Sequence, residues 1–269
     1  MINADLHMHT FYSDGTPSPR QNVLDSAILG NRLVAITDHD TTRGYLEAKD
    51  EADKLGVGIL TGVEITTPDY HILGYDFDIG HKGLQSLLAY SRECQEEGVR
   101  LRIKKLSEVW DIPITFEKVK YFFPESRIGK YNIALTLARD RECRDHLGGI
   151  PINSIFNIYL GKHGLVGNAT HKREAEDNEV IETIHAAGGI AVIAHPFLHV
   201  KKMEDLDTLV DSGLDGIEVQ PNRGEANNIF KDYAERHNLL VTYGSDFHGA
   251  SYDDQLLRRN GNFVKKFWK

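Results

Sequence analysis

Three short stretches of the chain set histidine against carboxylate: Asp5-Leu6-His7-Met8-His9, Asp38-His39-Asp40 and Ser245-Asp246-Phe247-His248. Imidazole and carboxylate together suit borderline divalent ions. In an extended segment side-chain direction repeats every two residues, so His7 and His9 turn their rings to one side. The chemistry these residues point to is a metal centre. Asp14, Glu64, His71 and His195 are further candidates of the same residue types, the last in Ala194-His195-Pro196. By contrast, His81, His146, His163, His185 and His237 read as ordinary surface or core histidines, and His171 and His199 are left open.

The elements that must position these residues alternate. Residues 4–8, 33–37, 58–64, 71–75, 190–194, 216–219 and 239–243 are short, β-rich and mostly apolar on both faces, as buried parallel strands are. Between them lie amphipathic segments at 19–29, 42–55, 179–187 and 227–237, several closed by glycines such as Gly56, Gly188 and Gly213. This βα alternation predicts a barrel or open sheet, with the candidate residues near strand ends on the rim where such folds assemble chemistry. From about residue 83 to 170 the alternation stops. Leu84, Leu87, Leu88, Val99, Ile103, Leu106 and Trp110 recur at helical spacing, and helices are expected again near 116–122 and 132–139. The expected organisation is a barrel domain of residues 1–82 and 171–269, with a helical subdomain, 83–170, inserted between the fourth and fifth strands.

A chain of 269 residues can bury the core of one such barrel. Its formal charge of −9 excludes the global basic field that grips long nucleic acid. Divalent ions bound in one cleft would reverse the sign there, so a small anionic substrate is compatible. The two cysteines, Cys94 and Cys143, sit in helical segments and read as reduced thiols of a cytoplasmic protein. No leader is read at the start, and no stretch approaches the roughly 18 apolar residues of a membrane span, so no membrane partner is expected. The basic tail, 258–269, reads as solvated.

Taken in order, Asp5-Leu-His-Met-His-Thr-Phe-Tyr-Ser-Asp-Gly15, Ile36-Thr-Asp-His-Asp-Thr41, Gly62-Val-Glu64, Ala187-Gly-Gly-Ile-Ala-Val-Ile-Ala-His-Pro196 and Gly244-Ser-Asp-Phe-His-Gly249 resemble the motifs of the PHP (polymerase and histidinol phosphatase) family of metal-dependent phosphoesterases. The resemblance implies an α/β fold, a distorted seven-stranded (βα) barrel, carrying up to three divalent ions, manganese, iron or zinc. It implies one ion on His7, His9, Glu64 and Asp246, a second on Glu64, His71 and His195, and a third on Asp14, His39 and His248, with Glu64 bridging the first two. A water between those two ions, its pKa lowered toward about 7, is then expected to attack phosphorus in line. Asp246 is its expected proton acceptor, and Asp38 and Asp40 are expected to orient nearby histidines.

The approach to the fifth strand, 179–196, and the helical insertion are similar to a narrower subgroup, which contains nucleoside 3′,5′-bisphosphate phosphatases and short-oligoribonucleotide exonucleases. The subgroup's Gly-Arg-Pro-His run is replaced here by Gly129-Lys130-Tyr131-Asn132, and Gln220-Pro-Asn-Arg223 keeps an arginine without the usual histidine. Arg127, Lys130 and Arg223 are the expected phosphate clamps, because cationic side chains match phosphate oxygens. The expected activity is hydrolysis of a small phosphomonoester, first a nucleotide such as a nucleoside 3′,5′-bisphosphate. A histidinol phosphatase or short-oligonucleotide exonuclease is the rival enzyme, and a non-catalytic binding module is the third reading.

Overall fold

The computed structural model describes residues 2–161, 163–167, 174–220, 225–249 and 261–263. Arg223, His171 and almost all of the basic tail lie outside the described residues. The chain begins β1 (Ile2–Asp5), α1 (Pro19–Ile28), β2 (Leu33–Ala35), α2 (Arg43–Leu55), β3 (Gly58–Leu60), β4 (Gly62–Thr66), β5 (His71–Tyr75) and α3 (Lys82–Trp110). It continues with α4 (Phe116–Phe122), α5 (Lys130–Arg139), α6 (Arg141–His146), α7 (Ile152–Ile155) and a π-helical turn, Phe156–Leu160. Last come α8 (Asp177–Ala186), β6 (Ile190–Ile193), α9 (Pro196–His199), α10 (Glu204–Asp211), β7 (Gly216–Val219), α11 (Glu225–Arg236), β8 (Leu240–Tyr243) and β9 (Gly261–Phe263). Two compact units result, residues 1–91 with 174–269, and residues 92–173.

The first unit is mixed α/β. Among the described residues its strands form a four-stranded sheet, β3-β2-β1-β9, and a five-stranded sheet, β4-β5-β6-β7-β8. Two sequence expectations change here. The segment 58–64, read as one strand, breaks at Thr61: Asp76 N–H donates to the Thr61 carbonyl at 3.1 Å, and the Thr61 hydroxyl bonds both backbone groups of Phe77. Those bonds turn the chain from one sheet into the other, leaving β3 paired with β2 and β4 paired with β5. The strands are also not all parallel, because β5 runs antiparallel to both β4 and β6. The cause is local: Thr67 and Tyr70 close a tight turn through three mutual hydrogen bonds of 2.8–3.1 Å, too short a connection for a parallel crossover.

Alternation along the strands sorts the apolar residues into three clusters. Ala4, Leu6, Leu33, Ala35, Leu73, Tyr75, Val192 and Ala194, contributed by both sheets, pack together, and the Tyr75 hydroxyl donates to the Leu6 carbonyl at 2.8 Å. The opposite faces of β1 and β2 pack Met8, Val34 and Ile36 against Val23 of α1 and Ala48 and Ala52 of α2. Ile72, Ala191, Ile193 and Ile217 meet Val180, Ile181 and Ile184 of α8, Leu206 and Leu209 of α10 and Phe230 and Tyr233 of α11. Each fully buried Leu or Ile contributes about 1.5–3 kcal/mol of transfer free energy, so this two-sided burial supports a rim of costly polar residues.

The second unit is helical among its described residues. Val99, Ile103 and Leu106 of α3 are buried as their spacing requires, but Trp110, read as part of the same stripe, is 41% exposed at the helix end. Side-chain caps start the shorter helices: the Thr115 hydroxyl accepts from Lys118 N–H, and Asp140 Oδ1 from Cys143 N–H. At the start of α5 the Asn132 side chain accepts the Gly129 N–H at 2.8 Å, so the residue that replaces the subgroup's histidine acts as a cap.

Candidate metal centre

All nine rim residues singled out in the sequence come together in the first unit. His7 and His9 follow β1, His39 follows β2, His195 follows β6, and Asp246 and His248 follow β8. His71 is the first residue of β5, and because that strand is antiparallel its beginning lies at the rim where the parallel strands end. Glu64 sits in the middle of β4 rather than at its end, and bridges to His39.

Glu64 is the hub. Its buried carboxylate turns Oε2 toward His7 Nε2 (3.3 Å), His9 Nε2 (3.2 Å) and His39 Nδ1 (3.2 Å), and Oε1 toward His71 Nδ1 (2.8 Å) and His195 Nε2 (2.9 Å). Asp246 Oδ1 lies 3.4 Å from His7 Nε2 and 3.3 Å from His9 Nε2, and those two nitrogens face each other at 3.0 Å. Asp14 lies between His248 Nε2 (3.3 Å), His9 Nδ1 (3.7 Å) and His39 Nε2 (3.8 Å).

These distances fit metal ions. Ligands about 2.1 Å from a tetrahedral ion stand about 3.4 Å apart. The separations of His7 Nε2 and His9 Nε2 from each other, from Glu64 Oε2 and from Asp246 Oδ1 fall between 3.0 and 3.4 Å. His195 Nδ1 is buried without a hydrogen-bond partner. Donor atoms within 4.8 Å of one another group as His7, His9 and Asp246; His7, Glu64 and His195; His39, Glu64 and His71; and His9, Asp14, His39 and His248.

Several of these groups shift one another toward their charged forms. Burial pulls His9 down, but hydrogen bonds to Asp246 and Glu64 outweigh it and carry it up to about 10. His7 is raised well above its usual value, burial being overcome by Glu218, Glu64 and Asp246, and His195 is raised by Glu64 against burial. Burial opposes ionisation of Glu64, Asp14 and Asp246 as well. His39 and His7 hold Glu64 well below the carboxylate range, His248 and His39 do so for Asp14, and His7 and His248 for Asp246.

Sequence reading missed Glu218. It is a buried carboxylate on β7 whose Oε1 lies 2.8 Å from His7 Nδ1 and whose Oε2 accepts the His195 N–H at 2.7 Å. The signal was available, since a glutamate inside Gly216-Ile-Glu-Val219 is unlike a buried strand residue. Gly244 makes room for it: a Cβ there would overlap the His7 side chain and crowd Glu218 Oε1. His199 was left open and lies beside His71 and His195, with ring centroids 5.3 and 5.1 Å away.

The role expected of Asp38 needs correction. Its carboxylate accepts from Thr10 N–H (2.6 Å), the Thr10 hydroxyl (2.7 Å) and the Ser13 hydroxyl (2.7 Å), so it braces the loop that carries Asp14 rather than a histidine ring. Asp5 does the same for the opposite loop, accepting the Ser245 N–H at 2.9 Å and its hydroxyl at 2.8 Å. Asp40, His195 and Asp246 all hold positive φ, at 54°, 29° and 55°, a backbone state costly for non-glycine residues and concentrated at functional sites. Arg127 and Lys130 are half-buried in the second unit, at the entry to α5.

A rim of this make-up, carried on strand ends of a mixed α/β fold, is that of a metal-dependent hydrolase. The chain belongs to the PHP domain family, which it matches over residues 5–203. It is 31% identical to a 5′-3′ exoribonuclease of Haemophilus influenzae, across 91% of this chain and 89% of that one. It is 30% identical to a 3′,5′-nucleoside bisphosphate phosphatase of Chromobacterium violaceum, across 92% and 88%. A crystal structure from Bifidobacterium adolescentis, described as a metal-dependent phosphoesterase, superposes with a TM-score of 0.83 at 31% identity, across 98% and 93% of the two chains. The protein is a metal-dependent phosphoesterase.

Proposed function

We propose that the protein hydrolyses the phosphomonoester of a small nucleotide, a nucleoside 3′,5′-bisphosphate first. The observation that carries the multi-ion reading is Glu64, one buried carboxylate whose two oxygens face two different sets of imidazoles. His7, His9, Glu64 and Asp246 would hold one ion, Glu64, His71 and His195 a second, and Asp14, His39 and His248 a third. Manganese, iron and zinc all suit this donor set. Bound there, such ions supply Lewis acidity and a nucleophile that is deprotonated near neutral pH.

The chain's own groups do the rest. Glu64 keeps two clusters of rings in register, and Asp246, whose Oδ1 lies 3.4 Å from His7 Nε2 and 3.3 Å from His9 Nε2, is proposed to accept a proton. Asp38 and Asp5 hold the two loops that bring Asp14, Asp246 and His248 to the rim. Arg127 and Lys130, with Arg223, are proposed to bind a substrate phosphate, in keeping with guanidinium and ammonium recognition of phosphate. We also read the two sheets as one distorted seven-stranded barrel of β1, β2 and β4–β8. Leu6 N–H to the Tyr243 carbonyl (2.9 Å) and Asp40 N–H to the Glu64 carbonyl (2.9 Å) support closure between the sheets.

The Haemophilus relative supports a second reading, removal of 5′ nucleotides from short oligoribonucleotides. The acidic balance of the chain disfavours a grip on long nucleic acid under either reading. A phosphate- and nucleotide-release screen of metal-replete protein over nucleoside 3′,5′-bisphosphates, short oligoribonucleotides, histidinol phosphate and sugar phosphates decides between them. The bisphosphate is expected to have the highest kcat/KM. A tenfold preference for another class, about 1.4 kcal/mol of transition-state discrimination, overturns that choice.

A further inference from the structure

His195 and His199 are separated by three residues across α9, a spacing that sets two side chains on one face of a helical turn. The turn is well held: Leu198 N–H donates to the His195 carbonyl at 3.0 Å, Val200 N–H to the Pro196 carbonyl at 2.8 Å, and Pro196 at the first helical position presets its φ. His195 enters the turn in a left-handed conformation, φ 29° and ψ 55°. His199 consequently stands beside His195 and also beside His71, which arrives from β5. The three rings can each place one nitrogen so that all lie within 4.8 Å of one another. Glu64 Oε1 also lies 2.8 Å from His71 Nδ1 and 2.9 Å from His195 Nε2.

We propose that His199 is a further metal ligand, joining His71 and His195 to make a position of three imidazoles beside Glu64. The inference rests on the metal-centre reading above and deepens it at one of the three positions. His195 at the N-cap of α9 and His199 at its last residue bring two rings, centroids 5.1 Å apart, to one place, and imidazole pairs suit zinc-type ions. The chemical consequence is selectivity. Three imidazoles favour zinc, iron, nickel or copper over manganese, which carboxylate and water suit better. The group of His9, Asp14, His39 and His248 also has three imidazoles but adds a carboxylate of its own, so preference for an imidazole-loving metal is strongest where His71, His195 and His199 meet.

The test uses the full chain stripped of metal and titrated with zinc(II), manganese(II) and cobalt(II), in wild type, His199→Ala, His199→Gln and a His237→Ala control. Removing an outer partner of a ligand costs about 10–100-fold in metal affinity, so a direct ligand is expected to cost more. Expected results are a loss beyond that range in one zinc-binding event for both His199 variants, a smaller effect on manganese, a changed cobalt(II) visible absorption, and no change in the control. Folding of each variant is checked by circular dichroism. Independently of any variant, wild type with 15N-labelled histidine and 113Cd(II) is expected to show one-bond cadmium coupling to the His199 ring. Metal binding with no cadmium coupling at His199, or with zinc affinity and cobalt spectrum indifferent to its loss, overturns the inference and leaves the metal centre standing. A chain that binds no stoichiometric metal takes both readings down.

Discussion

The rim of the first unit and the helices of the second both carry charged side chains, under opposite conditions. On the rim, His7, His9 and Glu64 are buried and each touches several partners. On the helices the pairs stand in solvent, as in Arg100 with Glu96 (52% and 47% exposed) or Lys104 with Glu108 (65% and 64%). Exposed pairs of that kind contribute roughly 0–1 kcal/mol, whereas breaking one partner from a buried set costs about 3–5 kcal/mol. Exposed pairs such as these can therefore be exchanged with little effect on the fold. Those on the rim are tolerated only because they serve one another or an ion.

The sharpest way to break this contrast is Glu64→Ala. Loss of the hub should remove more than one equivalent of metal by elemental analysis and lower kcat/KM by at least about 10³-fold, the upper range for removing one preorganised electrostatic group. A variant with near-normal metal content and rate would mean the rim is an ordinary buried network. Glu218→Gln should come next. It keeps the shape but weakens the partner of His7 and of the His195 backbone, so metal affinity should fall by about 10–100-fold with the fold intact by circular dichroism. Unchanged affinity would reduce Glu218 to packing.

A third prediction concerns pH. In the metal-free protein His7, His9 and His195 are raised above 6.5, so their contribution to stability is complete below about pH 6.5 and is lost as pH rises, through about 10 for His9. Glu64, Asp14 and Asp246 are lowered, so their contribution is complete above about pH 4.5 and is lost as pH falls. Metal-free Tm should therefore peak between about pH 4.5 and 6.5. Ions require neutral rings, so metal binding should release protons, tighten as pH rises and move the stability optimum upward. Identical Tm profiles with metal and with chelator would contradict this. The smallest effect is expected in the second unit: Lys130→Ala should raise KM for a bisphosphate several-fold with metal content unchanged, while exposed Lys104→Ala should stay within about 0.5 kcal/mol of wild-type stability. Equal kinetics for both would return Lys130 to the class of solvated charges.

Residue type and spacing made the rim readable, because few side chains bind divalent ions and they recur here at the ends of apolar runs. His7 and His9, Asp38-His39-Asp40 and Asp246 with His248 were legible for that reason. Glu218 was not, although its surroundings mark it, since one glutamate in a strand announces no partner. The tight turn at Thr67–Tyr70 decided the direction of β5, and so put His71 on the correct rim from the opposite end of its strand. Asp38 shows the same limit: its position beside His39 suggested a bond to the ring, but alternation turns it toward Thr10 and Ser13.

The sequence by itself determined the alternation of apolar strands and helices, the helical character of the stretch read as 83–170 and the donor types available for metals, because periodicity and side-chain chemistry are local properties. Tertiary structure alone brought donors from distant strands together. The two oxygens of Glu64 face rings separated from it by as few as 7 and as many as 131 residues. No local pattern encodes such a pairing; it exists only once the strands that carry those rings have closed on one another around a common core.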